Sequence, residues 1–273
     1  MAVDTAFVLG GGGVLGATQI GMLRALLERG IEPDLVVGAS VGALNGAVIA
    51  ADPSVASVQT LTGLWSDLAG AGIFSDSLFS QAARVAKYRT HLHSSEPLRT
   101  MLEQHLPVTR IEQLRTRFEC VAASIEKAGA HWFTEGPIAD AVVASCAVPG
   151  LFPPARVGDE HFFDGGLVHS IPVGRAVALG ARRVFVLHVG RIERPLRPPR
   201  WPWEVGLVAF EIARRHRFIE EMQRIDPGVD VHVLPSGEPD TPLVSVRYRD
   251  ATRATSRIER AYAASVRYLA DVT

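Results

Sequence analysis

The sequence predicts a three-layer α/β/α fold with a mainly parallel central sheet. Two turns carry most of that expectation: Gly10-Gly11-Gly12-Gly13-Val14-Leu15-Gly16 and Gly38-Ala39-Ser40-Val41-Gly42. Each follows a short apolar run, Ala6-Phe7-Val8-Leu9 or Leu35-Val36-Val37, and precedes a helical pattern. Both turns therefore belong at the carboxyl ends of parallel strands, where open α/β sheets place their chemistry. The third observation is Val184-Phe185-Val186-Leu187-His188-Val189, a nearly continuous apolar run of the kind that forms a central strand buried on both faces.

Taken in order, residues 5 to 50 read as strand, helix, strand, helix. Ile20, Leu23, Leu26 and Leu27 recur at helical spacing, and the pattern ends near Gly30. Residues 54 to 115 give helical patterns broken at Gly70-Ala71-Gly72, around Ser94 to Pro97 and at Pro107. This stretch is expected to be a helical excursion facing substrate, with Leu78 and Phe79 lining an acyl site or simply a core. Strands are expected at Phe118 to Ile125, His131 to Thr134 and His161 to Phe163, with a helix over Ile138 to Ala147. Beyond Val189 the prolines of residues 191 to 203 forbid regular structure, so an exposed loop is expected there. A helix to about Ile225, a strand over Val229 to Leu234 and a last helix through residues 250 to 270 complete the chain. Residues 1 to 273 are expected to form one domain.

The 273 residues are 47% hydrophobic and 21% charged, with a formal net charge of -1, enough apolar material for a core. That balance argues against nucleic acid as a partner. The first residues lack a basic segment followed by a long apolar one, and no apolar stretch approaches the roughly 20 residues of a membrane span. A cytoplasmic location is the resulting expectation, with contact at a membrane surface left open. Cys120 and Cys146 lie in apolar surroundings, read as core cysteines and not as a disulfide or metal pair.

Gly38-x-Ser40-x-Gly42 suits a serine raised on a strained turn, because glycines two residues to either side let neighbouring backbone approach. Ser40 is the candidate nucleophile; an ordinary helix N-cap is the competing reading. Ester cleavage passes through a tetrahedral oxyanion that needs unobstructed N–H donors, and Gly11, Gly12 and Gly13 at a helix start would supply them. The same glycines also match dinucleotide-binding spacing. That fold expects an acid at the end of the second strand, where this chain has Gly38-Ala39-Ser40. A phosphate-binding P-loop would need Lys-Ser/Thr after Gly16 and lacks it. Phe162-Phe163-Asp164-Gly165-Gly166 places an acid after a short strand, either to reach the serine or as a plain turn. A triad of Ser40, Asp164 and His169 or His188 has the chain order serine, aspartate, histidine.

These residues resemble the patatin-like phospholipases. That family shows a glycine-rich oxyanion loop, a Gly-x-Ser-x-Gly elbow on the next strand and a downstream Asp-Gly-Gly/Ala motif, all present here in order. Ala43-Leu44-Asn45 and the stretch Ala144-Ser145-Cys146-Ala147-Val148-Pro149-Gly150-Leu151-Phe152-Pro153-Pro154 add to the likeness, which covers about residues 5 to 190. The resemblance implies lipid or acyl-ester hydrolysis without metal or organic cofactor, by a dyad in which Asp164 takes the proton from Ser40. Gly38, Gly42, Gly165 and Gly166 would support the two motifs. An aspartate of ordinary pKa near ~4 is a weak base at neutral pH, so modest turnover is expected. Leu15 stands where the family's loop has a basic residue, which shifts the expectation toward neutral esters. The four arginines and two tryptophans of residues 191 to 203 suggest contact with a membrane surface, or else a solvated linker. A non-catalytic lipid-binding or regulatory protein on the same fold is the alternative from another class.

Overall fold

The structure is a computed structural model that describes residues 3–70, 91, 93–189, 195–237 and 254–272. Among these residues the sheet has eight strands: β1 (Thr5–Leu9), β2 (Leu35–Ala39), β3 (Arg117–Ser124), β4 (Gly129–Phe133), β5 (Ala155–Val157), β6 (Glu160–Asp164), β7 (Arg183–Leu187) and β8 (Asp230–Val233). Hydrogen-bonded neighbours run β5-β6-β3-β2-β1-β7-β8, with β4 also on β3. The β3-β2-β1-β7-β8 portion is parallel throughout, and β4 and β6 run antiparallel to β3.

Alternation along β1 divides the interior. Phe7 and Leu9 enter the larger core with α1 (Ala17–Leu27), α2 (Val41–Ala51), α3 (Val55–Gly70), α4 (Glu96–His105), α5 (Ile138–Ser145) and α9 (Ala254–Val272). Ala6 and Val8 enter the smaller core under α7 (Val173–Ala178) and α8 (Pro202–Gln223), where Val173, Ala176 and Phe218 pack on Val184 and Val186. A single turn, α6 (Gly166–His169), follows β6 and lies against α8. Helices thus cover both faces of a mainly parallel sheet, as the two turns and the β7 run indicated. The described part of the 54–115 excursion is helical, being α3, α4 and a short 3-10 turn at Ile111–Gln113.

Three elements differ from expectation. β5, α6 and α7 are too short, at three, four and six residues, to leave a readable period. The loop expected over 191–203 ends sooner, because α8 starts at Pro202. Proline at a first helical position loses no helical hydrogen bond, and the Glu204 carboxylate turns back to accept from the Arg200 and Trp201 N–H groups at 2.6 and 3.2 Å. Leu78, Phe79, Arg191 and Arg194, named in the acyl-site and membrane-contact expectations, lie outside the described residues. Among the described residues no helix is long and apolar enough to cross a membrane.

Candidate functional site

The site begins with a strand junction. The parallel ladder of β2 on β3 ends at Ala39 opposite Val121, and the antiparallel ladder of β6 starts at the next β3 residue, with Asp164 opposite Ala122. β4 occupies the other edge of β3 over Cys120 to Ser124, so β2 and β6 must share one edge and meet end to end. Ser40, one residue past β2, and Asp164, the last residue of β6, are brought together by that meeting. The Ser40 Oγ donates to Asp164 Oδ2 at 2.5 Å, and the Gly166 N–H donates to Asp164 Oδ1 at 2.7 Å.

Ser40 has φ 54° and ψ −128°, a left-handed conformation that costs a non-glycine residue about 1–3 kcal/mol. Its surroundings enforce that geometry. A Cβ on Gly42 would come 2.1 Å from the Leu9 carbonyl oxygen, and one on Gly165 would come 2.1 Å from that of Val121, so both turns admit only glycine at these places. The Ser40 N–H donates to Ser145 Oγ at 2.9 Å, and that hydroxyl donates to the Val121 carbonyl at 2.7 Å. The Ser145 carbonyl accepts the Gly165 N–H at 3.1 Å. One fully buried serine on α5 therefore ties the Ser40 backbone to the Asp164-Gly165 turn. Sequence reasoning quoted Ser145 without giving it a task, and its position at the end of an apolar helix was the available signal.

Asp164 is 4% exposed and Ser40 7%. Burial raises the Asp164 carboxyl from 3.8 to about 6, against the opposing hydrogen bonds from Ser40 and Gly166. The expectation of an ordinary carboxylate near ~4 is corrected accordingly: desolvation penalises the charged form, and among the described residues no cation pairs with Asp164 to restore it. The Cys146 thiol nearby is also held well above its usual value, first by burial and then by the Asp164 charge. Cys120 and Cys146 are both free thiols.

The glycine loop divides its amides between anchoring and display. The Gly10 N–H donates to the Leu187 carbonyl at 3.1 Å and the Gly11 N–H to that of Ser170 at 2.8 Å. Gly11 is therefore committed, although it stands beside the serine, where its Cβ would lie 3.2 Å from the Ser40 Cβ. Gly12 and Gly13 are exposed, and among the described residues no hydrogen bond occupies their N–H groups. Of the three expected oxyanion donors, these two are available.

A buried polar chain holds the same loop from behind. Gln19 Nε2 donates to the carbonyls of Gly10 and Leu187, both at 2.8 Å. Asn45 Nδ2 donates to Gln19 Oε1 at 2.8 Å and to the Gly16 carbonyl at 3.1 Å, and Trp65 Nε1 donates to Asn45 Oδ1 at 2.9 Å. Gln19 and Asn45 are wholly buried. Leu15 is itself only 5% exposed.

The histidines considered for a triad are placed otherwise. Both Asp164 oxygens are engaged, by Ser40 and Gly166, with no imidazole between aspartate and serine. His169 Nδ1 meets Glu221 Oε1 at 2.7 Å, with its ring centroid 5.4 Å from that of Trp132. His188 is buried directly after β7.

A patatin-like phospholipase domain-containing protein of Caenorhabditis elegans is 33% identical over 188 residues, 68% of this chain and 14% of that protein. A lysophospholipase of Aspergillus terreus is 30% identical over 190 residues, 70% of this chain and 12% of that protein. The chain thus spans only about one-eighth of the length of these relatives. Among solved structures, VipD from Legionella pneumophila aligns with 99% of this chain and 67% of its own, at 16% identity and a TM-score of 0.47. The patatin-like phospholipase family model matches residues 7–177, which include both glycine turns, Ser40 and Asp164, and the chain belongs to that family.

Proposed function

We propose that this chain is a serine acyl hydrolase that cleaves carboxylic esters of lipids through a Ser40/Asp164 dyad. The observation that carries the reading is the buried 2.5 Å contact between Ser40 Oγ and Asp164 Oδ2. The family match and the lysophospholipase name of the Aspergillus terreus relative support lipid esters as the substrate class.

Ionised Asp164 takes the Ser40 hydroxyl proton as Oγ attacks the ester carbonyl. Negative charge then gathers on the carbonyl oxygen, where the Gly12 and Gly13 amides meet it at the start of the helical segment. Collapse of the tetrahedral species expels the alcohol, which leaves with the proton held by Asp164, and Ser40 keeps the acyl group. Water repeats the sequence: Asp164 accepts its proton, hydroxide displaces the acyl group, and the proton returns to Ser40 Oγ. A base with a pKa of about 6 is ionised at neutral pH yet closer to it than a solvated aspartate.

The experiment is hydrolysis of acyl esters from short to long chain, phospholipid included, by the intact chain beside Ser40→Ala, Asp164→Asn, His169→Ala and His188→Ala. Activity lost in the first two and retained in the last two is the expected result. Loss in either histidine variant with its fold intact would favour a triad, and an intact chain inert on every ester would favour a lipid-binding protein.

A further inference from the structure

Helix α8 is built inside out. Glu211 and Arg215 are 4% and 9% exposed, and their spacing puts them on the same helical line as Phe218, which packs in the smaller core. Val205, Ile212 and Ile219 are 54%, 54% and 46% exposed. Their seven-residue intervals align them along about 21 Å of the helix, about a quarter-turn around from that buried line. Among the described residues of α8 as far as Ile219, none that is exposed carries a fixed charge, and His216 alone of them is titratable. A solvent-facing helix ordinarily has the reverse pattern, so this face is made to be covered.

Its amino end indicates by what. At the amino end, Trp201 is 57% exposed and follows the exposed Arg197 and Arg200. Guanidinium groups attract anionic head groups, and tryptophan favours the interface between head groups and acyl chains. Trp201 stands four residues before Val205, so the cationic, tryptophan-bearing end leads directly into the apolar stripe. The α6 turn lies on the other flank of α8, where Arg217 Nη1 donates to the Leu167 and Val168 carbonyls.

We infer that the Val205/Ile212/Ile219 face of α8, with Trp201 and the Arg197–Arg200 segment, docks the protein on an anionic lipid surface. The inference rests on the acyl-hydrolase reading only for its purpose, to hold the chain at the lipid from which substrate is drawn. The docking itself needs no catalysis.

The test is flotation of the Ser40→Ala chain with vesicles of phosphatidylcholine, alone or mixed with phosphatidylglycerol. The mixed vesicles should carry the protein, less so as salt rises. Val205→Asp/Ile212→Asp/Ile219→Asp should reduce the bound fraction about tenfold or more. Arg197→Ser and Arg200→Ser should each weaken binding about fivefold and together remove its salt dependence. Restored to Ser40, the triple variant should hydrolyse a soluble short-chain ester like the parent and lose activity on vesicle lipid, with an unchanged melting temperature. The inference is overturned if the parent ignores both vesicles, if the triple variant floats equally well, or if the parent is a dimer that the three aspartates dissociate without affecting vesicle binding. A parent that cleaves no ester yet floats, with a triple variant that does not, would remove the hydrolase reading and leave the docking face standing.

Discussion

Asp164 at the end of β6 and Glu211 in the middle of α8 are each 4% exposed, yet the protein treats their charges in opposite ways. Glu211 receives two guanidinium groups, with Arg214 Nη2 and Nε bonded to its two oxygens at 2.6 and 2.8 Å and Arg215 Nε at 2.9 Å. Burial pushes its carboxyl up, and the two arginines outweigh that and hold it below its usual value. Asp164 receives a hydroxyl and one amide and is left at about 6. A carboxylate that holds structure is fixed in its charged form by cations, whereas a base, the role proposed for Asp164, must be denied them. The lack of a counterion at Asp164 among the described residues is thus as informative as the short contact to Ser40.

The contrast is broken most severely at the proposed dyad itself. Asp164→Asn keeps the shape and removes the basicity, and kcat should fall by about 10³ or more; survival within tenfold would remove Asp164 from the base role. Glu211→Gln should leave the proposed dyad intact and remove the negative charge shared by the Arg214 and Arg215 guanidinium groups. A loss of about 3 kcal/mol in unfolding free energy is expected from that removal, with kcat per folded molecule unchanged.

Stability should move the other way at Asp164. A folded pKa raised from 3.8 to about 6 gives a contribution fully present below the unfolded value and lost as pH climbs through the folded one. Asp164→Asn should therefore match the parent near pH 4 and exceed it by on the order of 3 kcal/mol above pH 7, measured by denaturant unfolding across that window. An advantage that does not grow with pH would mean that Asp164 ionises freely in the folded chain. In the parent, kcat/KM should drop about tenfold between pH 7 and pH 5, following a base of pKa about 6. The smallest expected effect is at the far end of the loop brace. Trp65→Phe removes the bond to Asn45 and should lower kcat several-fold, about 1 kcal/mol, with KM and the acid limb unchanged.

Much of this was legible because turns and strand ends announce themselves locally. Gly38 to Gly42 read as an elbow and Asp164-Gly165 as a strand-ending acid without knowledge of what lay beside them. The finer assignments depended on partners far along the chain. Gly11 cannot be told from Gly12 by its neighbours in sequence; the distinction is made by the Ser170 carbonyl, which claims one amide. The Asp164 pKa needed a burial and a missing cation that no local pattern states. The reversal of α8 was partly within reach, since Val205, Ile212 and Ile219 are evenly spaced, but which of its two stripes meets the sheet is decided by Phe218 packing on β7 residues.

The end-to-end meeting of β2 and β6 has a consequence for how this protein can change. Ser40 and Asp164 are 124 positions apart, but their separation in space is set by two adjacent rungs on one edge of β3, Val121 and Ala122. The parts of the intervening chain outside β3 and the bracing residues Asn45, Trp65 and Ser145 can therefore lengthen, shorten or be exchanged, while β3 acts as a fixed ruler against which serine and aspartate are always measured.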